Sequence, residues 1–122
     1  MPTNLKSSAP HIANASTWEE DLADWGVHPD AIEGTSKDTG RLLWKGPVDN
    51  LPEAGLWVCT PGKWRLSLER DEFCHFVAGR ATYVSDDGEV IEVTPGTLVH
   101  FRQGWSGVAT VHETTRNIYM IR

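Results

Sequence analysis

The sequence predicts an all-β domain, a sandwich or closed barrel of short strands, and three observations carry that expectation. From Trp57 onward, strand-like segments recur at intervals of eight to ten residues. Turn-forming residues separate them: Pro61-Gly62, Arg70-Asp71, Asp86-Asp87-Gly88, Pro95-Gly96, Gln103-Gly104 and Glu113-Thr114-Thr115. Outside one short N-terminal stretch, apolar residues do not repeat at helical spacing. Evenly spaced short strands with this punctuation are the mark of sandwiches and barrels.

Taken in order, residues 1–16 are polar, without a period, and read as a flexible or loosely docked arm. Ser16 or Thr17 can cap a short helix whose first turn carries Glu19, Glu20 and Asp21. Trp18, Leu22 and Trp25 fall at i, i+4 and i+7 on one stripe, and Gly26 ends the segment. Pro29 and Gly34 bracket a turn. Leu42-Leu43-Trp44 reads as a strand closed by Gly46-Pro47, and Asn50 to Gly55 reads as a loop. Eight strands follow, over 56–59, 63–69, 73–78, 80–85, 89–94, 97–101, 107–112 and 116–121. The expected organisation is a helix-bearing arm over 1–50 and a barrel over 51–122.

Composition narrows the function. A chain of 122 residues is one domain, able to bury about two-thirds of its unfolded surface. No apolar run approaches the ~18 residues that span a bilayer. Residues Met1 to Ser8 lack the apolar core of a secretion signal, so a cytoplasmic protein without a membrane partner is expected. The net charge of −6 sits mostly in residues 1–56, which hold 4 Lys/Arg against 9 Asp/Glu; residues 57–122 hold 7 against 8. Without a basic stripe to neutralise phosphates, no nucleic-acid partner is expected. There is no Gly-rich phosphate loop, Gly-x-Ser-x-Gly elbow or His-Glu-x-x-His helix. Cys59 and Cys74 lack zinc-site spacing and are read as reduced, buried, small apolar residues. Most of the six tryptophans are expected to pack the core or a subunit contact, with Trp64 and Trp105 reserved for a ligand pocket.

Three stretches point to a family: Gly55-Leu56-Trp57-Val58-Cys59-Thr60-Pro61-Gly62-Lys63-Trp64, then Asp71-Glu72-Phe73-Cys74-His75-Phe76-Val77-Ala78-Gly79, then Pro95 to Trp105. Arg116-Asn117-Ile118-Tyr119 closes the pattern. Together they resemble the cupin superfamily. Within it they are similar to the small single-barrel branch that includes the ureidoglycine aminohydrolase cupin domain (the DUF861, or Cupin_3, group) and the ethanolamine-utilisation cupins. The resemblance covers more than half of the chain and implies a single cupin barrel, a jelly roll or double-stranded β-helix. Two positions depart from the pattern: Thr97 stands where an aspartate is usual, and Arg102 where a proline is.

The resemblance also implies a metal held by three histidines and a glutamate, and here the sequence departs from it. Glu72 is present. The His-x-His positions fall on Leu66 and Leu68 or beside them, and the second-motif histidine falls near Ser106, Gly107 or Val108. One carboxylate does not hold a transition metal, so no metal ligands and no cofactor are expected. A non-standard divalent site would have to join Glu72 to His100 or His112, and isolated strand histidines are more often hydrogen-bonded or surface residues.

Alternation places Glu72, Cys74 and Phe76 on the inner face and Phe73 and His75 on the outer one. Two readings of Glu72 then stand side by side. In one it pairs with Arg65, Arg80 or Arg116 for structure alone. In the other it anchors a ligand pocket walled by Trp64, Leu66, Cys74, Phe101 and Trp105, and serves as a general acid or base if burial raises its pKa. Cys74 is read as inert, since no histidine shares its face nearby. Three functions follow in order: a small-molecule-binding cupin without the usual metal, a metal-assisted hydrolase similar to ureidoglycine aminohydrolase, and a partner-binding module. Whether the chain is an enzyme is left open. A homodimer is expected, with Trp18, Trp25 and Trp44 of the arm at its contact.

Overall fold

The computed structural model describes residues 9–122; the first eight residues of the expected arm lie outside that range. Among the described residues nine strands form: β1 (Ala23–Val27), β2 (Ala31–Glu33), β3 (Lys37–Val48), β4 (Leu51–Cys59), β5 (Gly62–Ser67), β6 (Glu72–Ser85), β7 (Val90–Val93), β8 (Leu98–Phe101) and β9 (Ser106–Ile121). All pairings are antiparallel.

The two longest strands, β6 and β9, explain the shape, because each serves two sheets. The first half of β6 and the second half of β9 lie in a sheet ordered β1-β3-β4-β9-β6-β8. Their other halves lie in a second sheet ordered β2-β5-β9-β6-β7. The crossing point is irregular, with register shifts from Phe76 to Ala81. Gly79 sits there at φ +86°, and any Cβ on it would collide with the Thr114 carbonyl. Sequence spacing splits 73–78 from 80–85 and 107–112 from 116–121. The backbone instead bends within single strands, which is how a jelly roll passes a strand between its sheets.

Two N-terminal expectations are corrected. Among the described residues there is no helix, and the stretch expected to be one is a turn followed by β1. Asn14 and Asp21 take positive φ, and Arg116 donates to the carbonyls of Ala15 and Trp18 that helical amides would otherwise occupy. Arg41 covers the Trp18 ring at 5.2 Å, so the segment lies on its own barrel. The loop expected over Asn50 to Gly55 is the start of β4. The turn is Asp49-Asn50, both left-handed between the paired Val48 and Leu51, a tight hairpin geometry that Asp and Asn tolerate.

The core between the sheets is aromatic. Tyr83, on β6, meets Trp64 at 6.2 Å, Phe76 at 6.0 Å, Phe101 at 5.2 Å and Trp105 at 6.3 Å between ring centroids. Cys59 and Cys74 are unpaired and buried.

Candidate ligand site

Strand register builds the site row by row. On the inner face of the first sheet, Glu53 of β4, Ile121 of β9, Glu72 of β6 and Phe101 of β8 stand opposite one another across four adjacent strands. The next inward row is Gly55, Tyr119, Cys74 and Val99, and the third brings Trp57, Asn117 and Phe76 together. Two glutamates therefore flank Ile121 on the same face, their Cα atoms about 10 Å apart across two strand spacings.

Between these rows lies a cavity of about 230 Å³. Glu53 and Glu72 are its acidic groups, and Leu66, Leu68 and Ile121 supply aliphatic wall. The rings of Trp25, Trp57, Tyr83, Phe101 and Tyr119 make up the aromatic part. Trp25 reaches in from β1, where its indole lies against Gly40; a Cβ on that glycine would strike the ring. It meets Tyr119 edge-on at 6.4 Å and remains 42% exposed, so it forms the rim. Gly55 leaves room for the Tyr119 hydroxyl, which donates to Glu53 Oε2 at 2.7 Å.

The electrostatics follow from burial. Glu72 has no cationic partner among the described residues: Arg65 pairs with Asp86, Arg80 with Glu113, and Arg116 donates to main-chain carbonyls. The Cys74 thiol lies 3.6 Å from Glu72 Oε2. Burial pushes the Glu72 carboxyl above the usual range, the thiol opposes that rise, and Glu53 adds to it. Burial also pushes the Cys74 thiol far up, with Glu72 second, and the Tyr119 hydroxyl up, with its bond to Glu53 second. Cys74 therefore stays a thiol at neutral pH and is no nucleophile. Asn117 Nδ2 donates to its sulfur at 3.3 Å.

Of the residues expected to form a pocket, Leu66, Glu72, Cys74 and Phe101 come together at the cavity. Trp64 and Trp105 do not. Trp64 is fully buried, stacked on His28 at 3.9 Å and tilted against Trp57 at 5.9 Å. Trp105 packs edge-on behind Phe101 at 5.0 Å. Sequence reasoning missed the remaining lining residues: Glu53, Trp25, Trp57 and Tyr119, together with Leu68, Tyr83 and Ile121. Tyr119 and Trp57 had a usable signal, since they share inward rows with Cys74 and Phe76. The register that reveals it is not written in the sequence.

The arrangement does not fit a cupin metal. Leu66 and Leu68, at or beside the positions where the resemblance implies histidines, line the cavity. His100 is on the outer face, opposite Phe73 and 3.9 Å from Asp71. His112 is exposed and bonds the Thr82 hydroxyl at 2.8 Å. Among the described residues, no three His, Cys, Asp or Glu side chains converge closely enough to hold an ion.

Comparison with known proteins agrees with this architecture. The family model of the EutQ-like cupin domain matches residues 49–119, more than half of the chain. A protein of unknown function of the DUF861 family from Pseudomonas syringae pv. tomato superposes with a TM-score of 0.74 at 18% identity, over 83% of this chain and 44% of that one. The chain thus spans less than half the length of that relative. The Clostridium difficile EutQ protein gives 0.59 at 17% identity, over 70% and 68% of the two chains. Ectoine synthase from P. lautus gives 0.63 at 15%, over 76% and 68%. At these identities the likeness is one of fold. No curated protein matches the sequence.

Proposed function

This chain belongs to the EutQ-like cupin domain family, and we propose that it is a small-molecule-binding barrel with Glu72 as the polar anchor of its ligand. The observation that carries the proposal is a half-buried carboxylate with no cationic partner among the described residues, facing an aromatic and aliphatic cavity. Pockets of this kind, mostly apolar with a few convergent polar groups, are where small ligands sit. A structural ion pair would have explained Glu72 without a ligand, but all three arginines considered for it are engaged elsewhere. A metal-assisted hydrolase would need imidazoles where Leu66 and Leu68 stand.

Native mass spectrometry of the full chain against a library of small polar metabolites tests this. At least one adduct is expected. It should vanish in the cavity-filling variant Leu66→Trp and weaken at least about tenfold in Glu72→Gln, since a hydrogen bond to a charged group contributes about 1.5–3 kcal/mol. Adducts that survive both substitutions unchanged would refute the site.

A homodimer remains part of the proposal, with its contact moved. Trp18 lies on its own barrel and Trp25 lines the cavity rim; Trp44 stays exposed, and Phe73, Leu98 and Met120 form an exposed group on the outer face of adjacent strands. Analytical ultracentrifugation should give a dimer, and a charge at Leu98 should dissociate it; a monomeric wild-type chain at micromolar concentration would remove this part.

A further inference from the structure

We propose that the cavity ligand is a small organic ammonium, an alkyl group ending in a charged nitrogen that carries N–H bonds. The inference rests on the ligand-binding reading of the cavity and gives it a chemical class.

The first argument is charge. Glu53 and Glu72 face the same space from either side of Ile121, and among the described residues no lysine, arginine or histidine lines it. The nearby basic side chains are committed outside: Arg41 to Asp21 and the Trp18 ring, Arg65 to Asp86, Arg80 to Glu113, and Arg122 to Asp71. A carboxylate ligand entering this space would add a third acidic group to two that already lack a counter-charge. A neutral ligand would displace water from them and leave them uncompensated. A cation does neither.

Hydrogen bonding gives a second, separate argument. Two carboxylates offer about eight acceptor sites. Among the described residues the donors supplied to them are the Tyr119 hydroxyl, to Glu53, and the Cys74 thiol at a long 3.6 Å, to Glu72. The cavity is therefore rich in unfilled acceptors and poor in donors. An ammonium with two or three N–H groups fits that inventory; a metal ion does not, for want of a third close ligand.

The wall is the third argument. Rings of Trp25, Trp57, Tyr83, Phe101 and Tyr119 surround the carboxylates. Aromatic faces attract cations and also accept hydrocarbon, so one wall suits both ends of an alkylammonium. The about 230 Å³ available limits the ligand to a few carbons rather than a peptide or nucleotide.

Four probes of similar size test the assignment by NMR on the full chain, read at the indole N–H signals of Trp25 and Trp57 at matched ionic strength. They are butylammonium, butan-1-ol, butanoate and tetramethylammonium. Butylammonium is expected to bind at least tenfold more tightly than butan-1-ol and butanoate, and more tightly than tetramethylammonium, which has the charge without the donors. Glu72→Gln should reduce butylammonium binding at least tenfold, and the exposed control Glu113→Gln should not. Butan-1-ol or butanoate binding as well as butylammonium would overturn the ammonium class while leaving the cavity as a ligand site. Tetramethylammonium matching butylammonium would overturn the requirement for N–H bonds. If no probe moves either signal, the ammonium class is overturned, and the metabolite screen with Leu66→Trp decides separately whether the cavity binds anything.

Discussion

The two ends of this barrel are built from the same strands and differ in what their inward rows leave unfilled. Tyr83 is the dividing ring: it lines the cavity on one side, and Trp64 and Phe76 pack against it to close the interior toward Cys59, each of the three 1% exposed or less. Toward Glu53 and Glu72 the same sheets hold a cavity with two carboxylates and Trp25 at its rim. Gly55 is one cause, since a side chain there would crowd the Tyr119 hydroxyl and the Arg41 carbonyl. The lesson is that the fold gives both ends the same frame, and residue size along three strands decides which becomes a core and which becomes a site.

Substitutions at the two ends should separate by size of effect. Trp64→Ala should cost about 3–5 kcal/mol in urea unfolding, the range for a large buried aromatic, whereas Leu66→Ala at the cavity should cost about 2 kcal/mol or less because space already adjoins it. Equal costs would erase the distinction. Gly79→Ala, at the bend where β6 passes from one half to the other, should lose about 1–3 kcal/mol from strain alone, with the Thr114 collision added. Tyr119→Phe should cost about 1 kcal/mol in stability through its bond to Glu53. A larger loss would mean that the cavity wall is structural first. Arg65→Ala should have the smallest effect of the set in urea unfolding, because the Arg65–Asp86 pair is exposed to water and screened by salt.

How far the sequence reached follows the same division. The strands of the barrel were legible because turn residues punctuate them and alternation holds over the segments on either side of the bends in β6 and β9. That parity placed Glu72, Cys74 and Phe76 on the inner face, and Leu66 and Phe101, named as pocket wall beside them, line the cavity. The filled end was not separable from the open one. Trp64 and Phe101 both face inward, and only the three-dimensional fit shows that Trp64 is walled off by His28 and Trp57. Trp25 was hidden for another reason: Trp18, Leu22 and Trp25 satisfy a helical period, but Arg116 claims the carbonyls that a helix would use. Glu53 was lost with the misplaced loop, since a residue read as loop has no face.

The central claim is that Glu72 is a half-buried carboxylate without a cationic partner among the described residues. Its folded pKa is raised, so the folded state binds its proton more tightly than the unfolded state does. The resulting stability is complete below the ordinary glutamate range and is lost as pH rises through the raised value. A pH titration of the side-chain carboxyl carbons by NMR, assigned with Glu72→Gln, measures this directly. The account predicts a Glu72 midpoint above that of an ordinary glutamate, with wild type losing stability relative to Glu72→Gln as pH climbs from the ordinary glutamate range up to that midpoint. A midpoint at or below the ordinary range would mean that Glu72 already has its counter-charge, and the cavity would lose its anchor.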